Sequence, residues 1–208
     1  MKATTAVLFS FVFAFLSTQP AISRPHERTK YSYYTISGDT PVSIYSTMIR
    51  RGPTVGGVKA YAKTSAISTP SVQIVQGTVC KLKDYQLNFA FDINLPRLSN
   101  EKALSGSTRS QWQNFSRFLK IHEETHRRIW MEYGAALEAK VWSVKASSCA
   151  ELTAKIVDLR NQMAKQCAKK QDAFDASEQK RLMKHPFVKL ILARGAKSTN
   201  ALSVAKTN

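Results

Sequence analysis

The 208-residue sequence predicts an α+β fold: a small antiparallel sheet with an N-terminal helix, followed by a long helical hairpin. Three observations carry that reading. Tyr85, Leu87, Phe89, Phe91, Ile93 and Leu95 alternate with Gln86, Asn88, Ala90, Asp92 and Asn94, the period of a strand with one face on a core. Phe115, Leu119, His122, His126, Ile129, Tyr133, Leu137 and Val141 recur at helical spacing. Beyond Ser147-Ser148 the spacing resumes through Leu152, Ile156, Leu159 and Met163. With 43% hydrophobic and 22% charged residues the composition is that of a globular chain, and the length suits one domain.

The elements follow in order. Lys2 precedes an apolar run from Ala6 to Leu16, and Ala21-Ile22-Ser23 sets small residues at positions −3 and −1 of a cleavage site. These are the parts of a secretory signal peptide over residues 1–23, and the run is too short to span a membrane. The reading is therefore a secreted or periplasmic chain with no transmembrane anchor after cleavage. A single domain is expected over residues 24–195, with residues 196–208 as a flexible tail. Tyr31 to Ile36 has strand composition, and Asp39-Thr40-Pro41 starts a helix that Gly52-Pro53 ends. Val58–Ala62 and Val72–Val75 predict short strands, and Pro96 is expected to end the long one. Thr108 with Gln111, or Ser110 with Gln113, can cap a helix running to about Val144. A second helix is expected from about Ala150 to Lys184, with His185-Pro186 interrupting it.

A formal charge of +17 would suggest nucleic acid in a cytosolic protein. In an exported chain whose cations are scattered, solubility and weak attraction to envelope polyanions account for it, and no nucleic acid partner is expected. Cys80, Cys149 and Cys167 would enter an oxidising compartment, where one disulfide is expected. Eighteen residues of one helix would hold Cys149 and Cys167 about 27 Å apart, which disfavours that pair and points to one of them joining Cys80, with three buried thiols as the alternative.

The chemistry lies in His122-Glu123-Glu124-Thr125-His126, a zincin-like motif inside the first long helix. Histidines at i and i+4 sit one turn apart on one face, so both imidazoles can reach one ion. Glu123 is rotated about 100° from His122, beside the metal and placed to take a proton from water that Zn²⁺ has acidified. Glu124 is expected on the solvated face, paired with Arg128. The metzincin extension needs Gly at 129 and His at 132; Ile129 and Glu132 exclude that class. Antiparallel helices turning near residue 148 set residues near 174 and 170 opposite His122 and His126. Asp172, Asp175 and Glu178 fall in that window. Asp175 is taken as the third ligand, with Glu178 second and His185 as a further alternative.

Tyr33-Tyr34-Thr35-Ile36-Ser37-Gly38-Asp39-Thr40, Arg51-Gly52-Pro53, Asn94-Leu95-Pro96-Arg97 and His122-Glu123-x-x-His126 together point to a known pattern. Over residues 31–185 the chain resembles the bacterial family of predicted secreted zinc-dependent proteases (domain of unknown function 922). That resemblance implies an exported zinc metallopeptidase-like domain with no settled substrate. The family's later helix carries Tyr-Asp and then Thr-x-His-Gly. Here it reads Phe174-Asp175-Ala176-Ser177-Glu178-Gln179-Lys180-Arg181, which keeps the acid and sets Lys180 at the family's His. The expected function is hydrolysis of a peptide or protein substrate in the cell envelope. The competing expectations are a zinc-stabilised but inactive envelope module, and a basic protein that binds anionic polymers by charge.

Overall fold

The computed structural model describes residues 24–193. The predicted signal peptide, the last two residues of the predicted domain and the tail lie outside the described residues. The architecture is mixed α+β, with a small sheet and several helices. Strand β1 (His26–Ile36) leads to helix α1 (Pro41–Arg51), then to a short hairpin of β2 (Thr54–Val55) and β3 (Val58–Lys59). Strands β4 (Lys63–Val75) and β5 (Lys81–Leu98) follow, then α2 (Gly106–Trp142), α3 (Cys149–Lys184) and α4 (Pro186–Ala193).

Local chemistry explains the boundaries. Thr40 and Ser43 form a reciprocal capping box at α1, with Pro41 in its first turn. The two-residue turn between β2 and β3 holds Gly56 and Gly57 at φ of 54° and 81°, a left-handed pair that L side chains resist. Helix α2 starts earlier than its internal Thr and Ser suggest: Ser105 is the N-cap and accepts from the Thr108 N–H. Ser148 caps α3 in the same way. Pro186 lacks an N–H, and α3 ends at Lys184 with His185 as its C-cap.

The sheet corrects the sequence reading. Its order is β1-β5-β4, with β4 antiparallel to β5 but β1 parallel to it. The sheet is therefore mixed rather than antiparallel. The link from β1 to β5 contains α1 and three strands, long enough for the crossover that a parallel pair requires. Pro96 does not end β5, which continues to Leu98. Strand β4 stops at Lys63 opposite Asn94, so at Pro96 the central strand pairs on one side only, with Tyr34 of β1. A residue without an N–H is tolerated there.

Two apolar clusters form around α2. Trp112, Phe115 and Leu119 pack with Ile36, Ile44, Leu98, Leu182 and Phe187. Leu137 and Val141 pack with Tyr85, Phe89, Leu152 and Met163. His122, Glu123 and His126 occupy the buried face of α2 between the two clusters. Burial on both sides fixes that part of the helix, since core truncations of this type cost about 2–5 kcal/mol each. At Gly134 a Cβ would come 2.5 Å from the Phe89 ring, so glycine is what lets β5 press this close to α2. Glu138 takes over from β1 just before that strand begins. The Leu87 N–H, one residue beyond the His26–Asn88 pair, donates to Glu138 Oε1 at 2.6 Å.

Cys80 and Cys149 form a disulfide spanning 69 residues, and Cys167 is free and buried. The bond ties the β4–β5 turn to the first residue of α3. Among the described residues no helix is long and apolar enough to cross a membrane.

Candidate metal centre

His122 and His126 project from one face of α2 toward α3. Their Nε2 atoms are 3.0 Å apart, and Asp175 Oδ1 lies 3.3 Å from the first and 2.9 Å from the second. All three residues are buried, with exposures of 1%, 0% and 5%. The helical hairpin brings them together. The mirror relation about residue 148 expects residues near 170 and 174 opposite the histidines, and Gln171, Phe174 and Asp175 touch them.

The protonation of His126 follows from its partners. The Gln171 Nε2 amide donates to the His126 backbone carbonyl at 3.1 Å, and a carbonyl can only accept. Gln171 Oε1 therefore faces His126 Nδ1, at 2.6 Å, and Nδ1 carries the proton. Nε2 then bears a lone pair, aimed at a carboxylate oxygen and a second imidazole. Neither Asp175 oxygen accepts a well-aimed hydrogen bond, and both are shielded from water. Electron pairs converging on one point in a buried site are stabilised by a proton or a cation between them. These three residues can hold a metal ion, with Gln171 orienting the ligand from behind.

Protons respond to the same field. Burial would lower the pKa of His126, but Asp175 and the charge of Glu123 outweigh it and raise the value above 6.5. Burial would raise that of Asp175, yet the two imidazoles hold its carboxyl below the ordinary range. For Glu123 burial wins. Its carboxyl is raised above 4.5 although His122, His126 and Thr64 all oppose the shift.

Glu123 is 3% exposed and faces the start of β4. Thr64 Oγ1 lies 2.8 Å from Glu123 Oε2 and 3.0 Å from the Glu123 carbonyl. Phe174 closes the opposite side, stacked on His122 at 4.9 Å and edge-on to His126 at 5.1 Å.

Residues 31–183 match the family model described as "Bacterial protein of unknown function (DUF922)". The chain belongs to this family. No curated protein and no solved structure matches this DUF922 chain.

The remaining site expectations sort as follows in the DUF922 chain. Glu178 is not with the other donors: its carboxylate lies on the Nδ1 side of His122, 3.9 Å away. His185 is not in the cluster either and packs against the rings of Phe115 and Phe118. Asp172 is exposed, as is Lys180, so the departure at the family's His position does not reach this site. Glu124 pairs with Arg127 rather than Arg128, and also accepts from the Tyr31 hydroxyl, because β1 lies beside that flank of α2. Two contributors escape sequence reasoning. Gln171 is one turn before Asp175 on the same helix face, and a search of the mirror window for any polar residue would have found it. Thr64 carries no local signal, since only the packing of β4 on α2 brings it to Glu123.

Proposed function

We propose that the protein is an exported zinc-dependent metallopeptidase, with His122, His126 and Asp175 holding the ion and Glu123 acting as general base. The observation that carries the reading is the buried Glu123 carboxyl beside the two imidazoles. Structural zinc sites are closed by four protein donors, whereas catalytic ones use three and leave a position open. Here three donors converge. Two imidazoles and a carboxylate also suit iron(II) in oxygenases. A second, proton-accepting carboxyl next to them is what hydrolysis calls for. The spacings of 2.9–3.3 Å suit zinc, because bonds of 2.0–2.1 Å in a tetrahedron set ligand atoms about 3.3 Å apart.

A zinc ion held there would supply Lewis acidity, polarising a carbonyl and acidifying water. The chain supplies the proton traffic. With Oε2 tied to Thr64, Glu123 keeps Oε1 to take a proton from the attacking water and to pass it to the leaving amine. Its raised pKa suits both directions. Strand β4 is an edge strand and meets Glu123 at Thr64, so an extended peptide laid along its free edge would run past the base. The disulfide between Cys80 and Cys149 supports an oxidising compartment and hence export.

A second reading is a metal-stabilised envelope module without catalysis, and the near-complete burial of all four residues favours it. Glu123→Gln separates the two. The metallopeptidase reading expects the zinc-loaded protein to cleave a denatured protein substrate, and the variant to lose about 10²–10⁴-fold in rate at unchanged zinc content. Equal cleavage by both proteins would remove Glu123 from the chemistry. Bound zinc with no cleavage by either would leave the module.

A further inference from the structure

The two histidines are supported from behind by different groups. His126 donates its Nδ1 proton to the neutral Gln171 amide. For His122 to offer Nε2 to a metal, its single proton must also sit on Nδ1. That nitrogen is buried and has no hydrogen-bond partner. The acceptor facing it is Glu178 Oε2, at 3.9 Å.

Glu178 is an unusual residue to find there. It is 5% exposed and lies three residues beyond Asp175, on the same face of α3. Its other oxygen accepts from Arg181 Nη1 at 2.5 Å. Arg181 reaches in from a side chain that is 66% exposed, and its guanidinium lies 5.7 Å over the Phe118 ring. Arginine thus tethers the carboxylate from outside while its free oxygen points at His122. Phe174, stacked on the His122 ring at 26° between planes, resists tilting of the imidazole but leaves movement within its own plane.

We propose that Glu178 is a positioning residue for the metal. On metal loading, the His122 ring moves in its plane, Nδ1–H donates to Glu178 Oε2, and Arg181 holds the carboxylate in place. The inference rests on the reading of His122, His126 and Asp175 as a metal site. It gives His122 a charged partner behind it and His126 a neutral one, so His122 becomes the more strongly donating imidazole.

Zinc affinity by chelator competition, and imidazole N–H signals in the zinc-loaded protein by NMR, test it together. The wild type should show two slowly exchanging imidazole N–H protons. Glu178→Leu should lose the one on His122 and bind zinc about 10–100-fold more weakly. Glu178→Gln keeps an acceptor and should recover most of that affinity. Arg181→Ala changes an exposed side chain and should weaken zinc by a smaller factor, so it and Glu178→Gln decide the matter if the Leu variant does not fold. Zinc affinities within about twofold of wild type in all the folded variants, with the His122 signal intact, would overturn the proposal. A wild type that takes up no zinc, or a His122→Ala variant that binds it equally well, would overturn the metal site and this inference with it.

Discussion

Thr64 and Glu123, from an edge strand and the long helix packed on it, meet twice: the hydroxyl lies within hydrogen-bond distance of both the carboxylate and the backbone carbonyl of the same residue. One hydroxyl thereby fixes the Glu123 rotamer relative to the turn of α2 that carries both histidines. Thr64→Val keeps the shape and removes the donor. Hydrolysis by the zinc-loaded protein should fall about 10-fold or more, in line with general-base positioning effects. Zinc content should stay at the wild-type value, measured on the same samples.

Gln171 makes two bonds to His126 and fixes its proton on Nδ1. Gln171→Leu removes both and takes away the acceptor of the buried His126 Nδ1–H. Zinc affinity should drop about 10–100-fold. Unfolding of the metal-free variant should lose about 1–3 kcal/mol, read by urea denaturation.

The metal-free protein should lose stability as pH rises. His126 and Glu123 both have raised pKa values in the folded state. Their contributions are complete below about 6.5 and 4.5, and fade as pH climbs through the folded values. Asp175 works in the opposite sense: its depressed pKa contributes above its ordinary value and is lost as pH falls. Zinc needs deprotonated ligands, so its stabilising effect should grow over the same rise. Thermal melts from pH 5 to 8 should show a falling Tm without zinc. At a zinc concentration about 100 times Kd the gain should be about 2.7 kcal/mol at a given pH.

Breaking the disulfide tests the frame rather than the site. Cys80 and Cys149 close a loop of 69 residues. Cys80→Ser with Cys149→Ser should cost about 2–5 kcal/mol, read by urea denaturation. Zinc stoichiometry at low temperature should not change, since the ligands lie far along both helices from the bond.

The parts of the site that obey a period were legible in the sequence. The His122–His126 spacing follows from helical geometry, and the mirror about residue 148 holds because a short turn leaves two straight helices little freedom. It brings Gln171 and Asp175 within a residue of the expected places. Non-local pairings were not legible in this way. The Tyr31–Ile36 stretch reads as a strand, but nothing in it specifies that β1 joins the far edge of β5 in parallel. Thr64 looks like any strand threonine until β4 is docked on α2. The cysteine spacing narrowed the choice to a bond from Cys80 to one of two helix residues; the meeting of the β4–β5 turn with the start of α3 selects Cys149. Glu178 shows the limit of the mirror rule, which finds residues near the histidines but not the side of the ring they face.

The proposed centre holds one zinc ion on His122, His126 and Asp175. Metal content by mass spectrometry of the native protein tests it most directly, on wild type and on the three single alanine variants. One zinc per chain is expected in the wild type, and its loss in His122→Ala, His126→Ala and Asp175→Ala. A wild type without zinc, or zinc retained in all three folded variants, would contradict it.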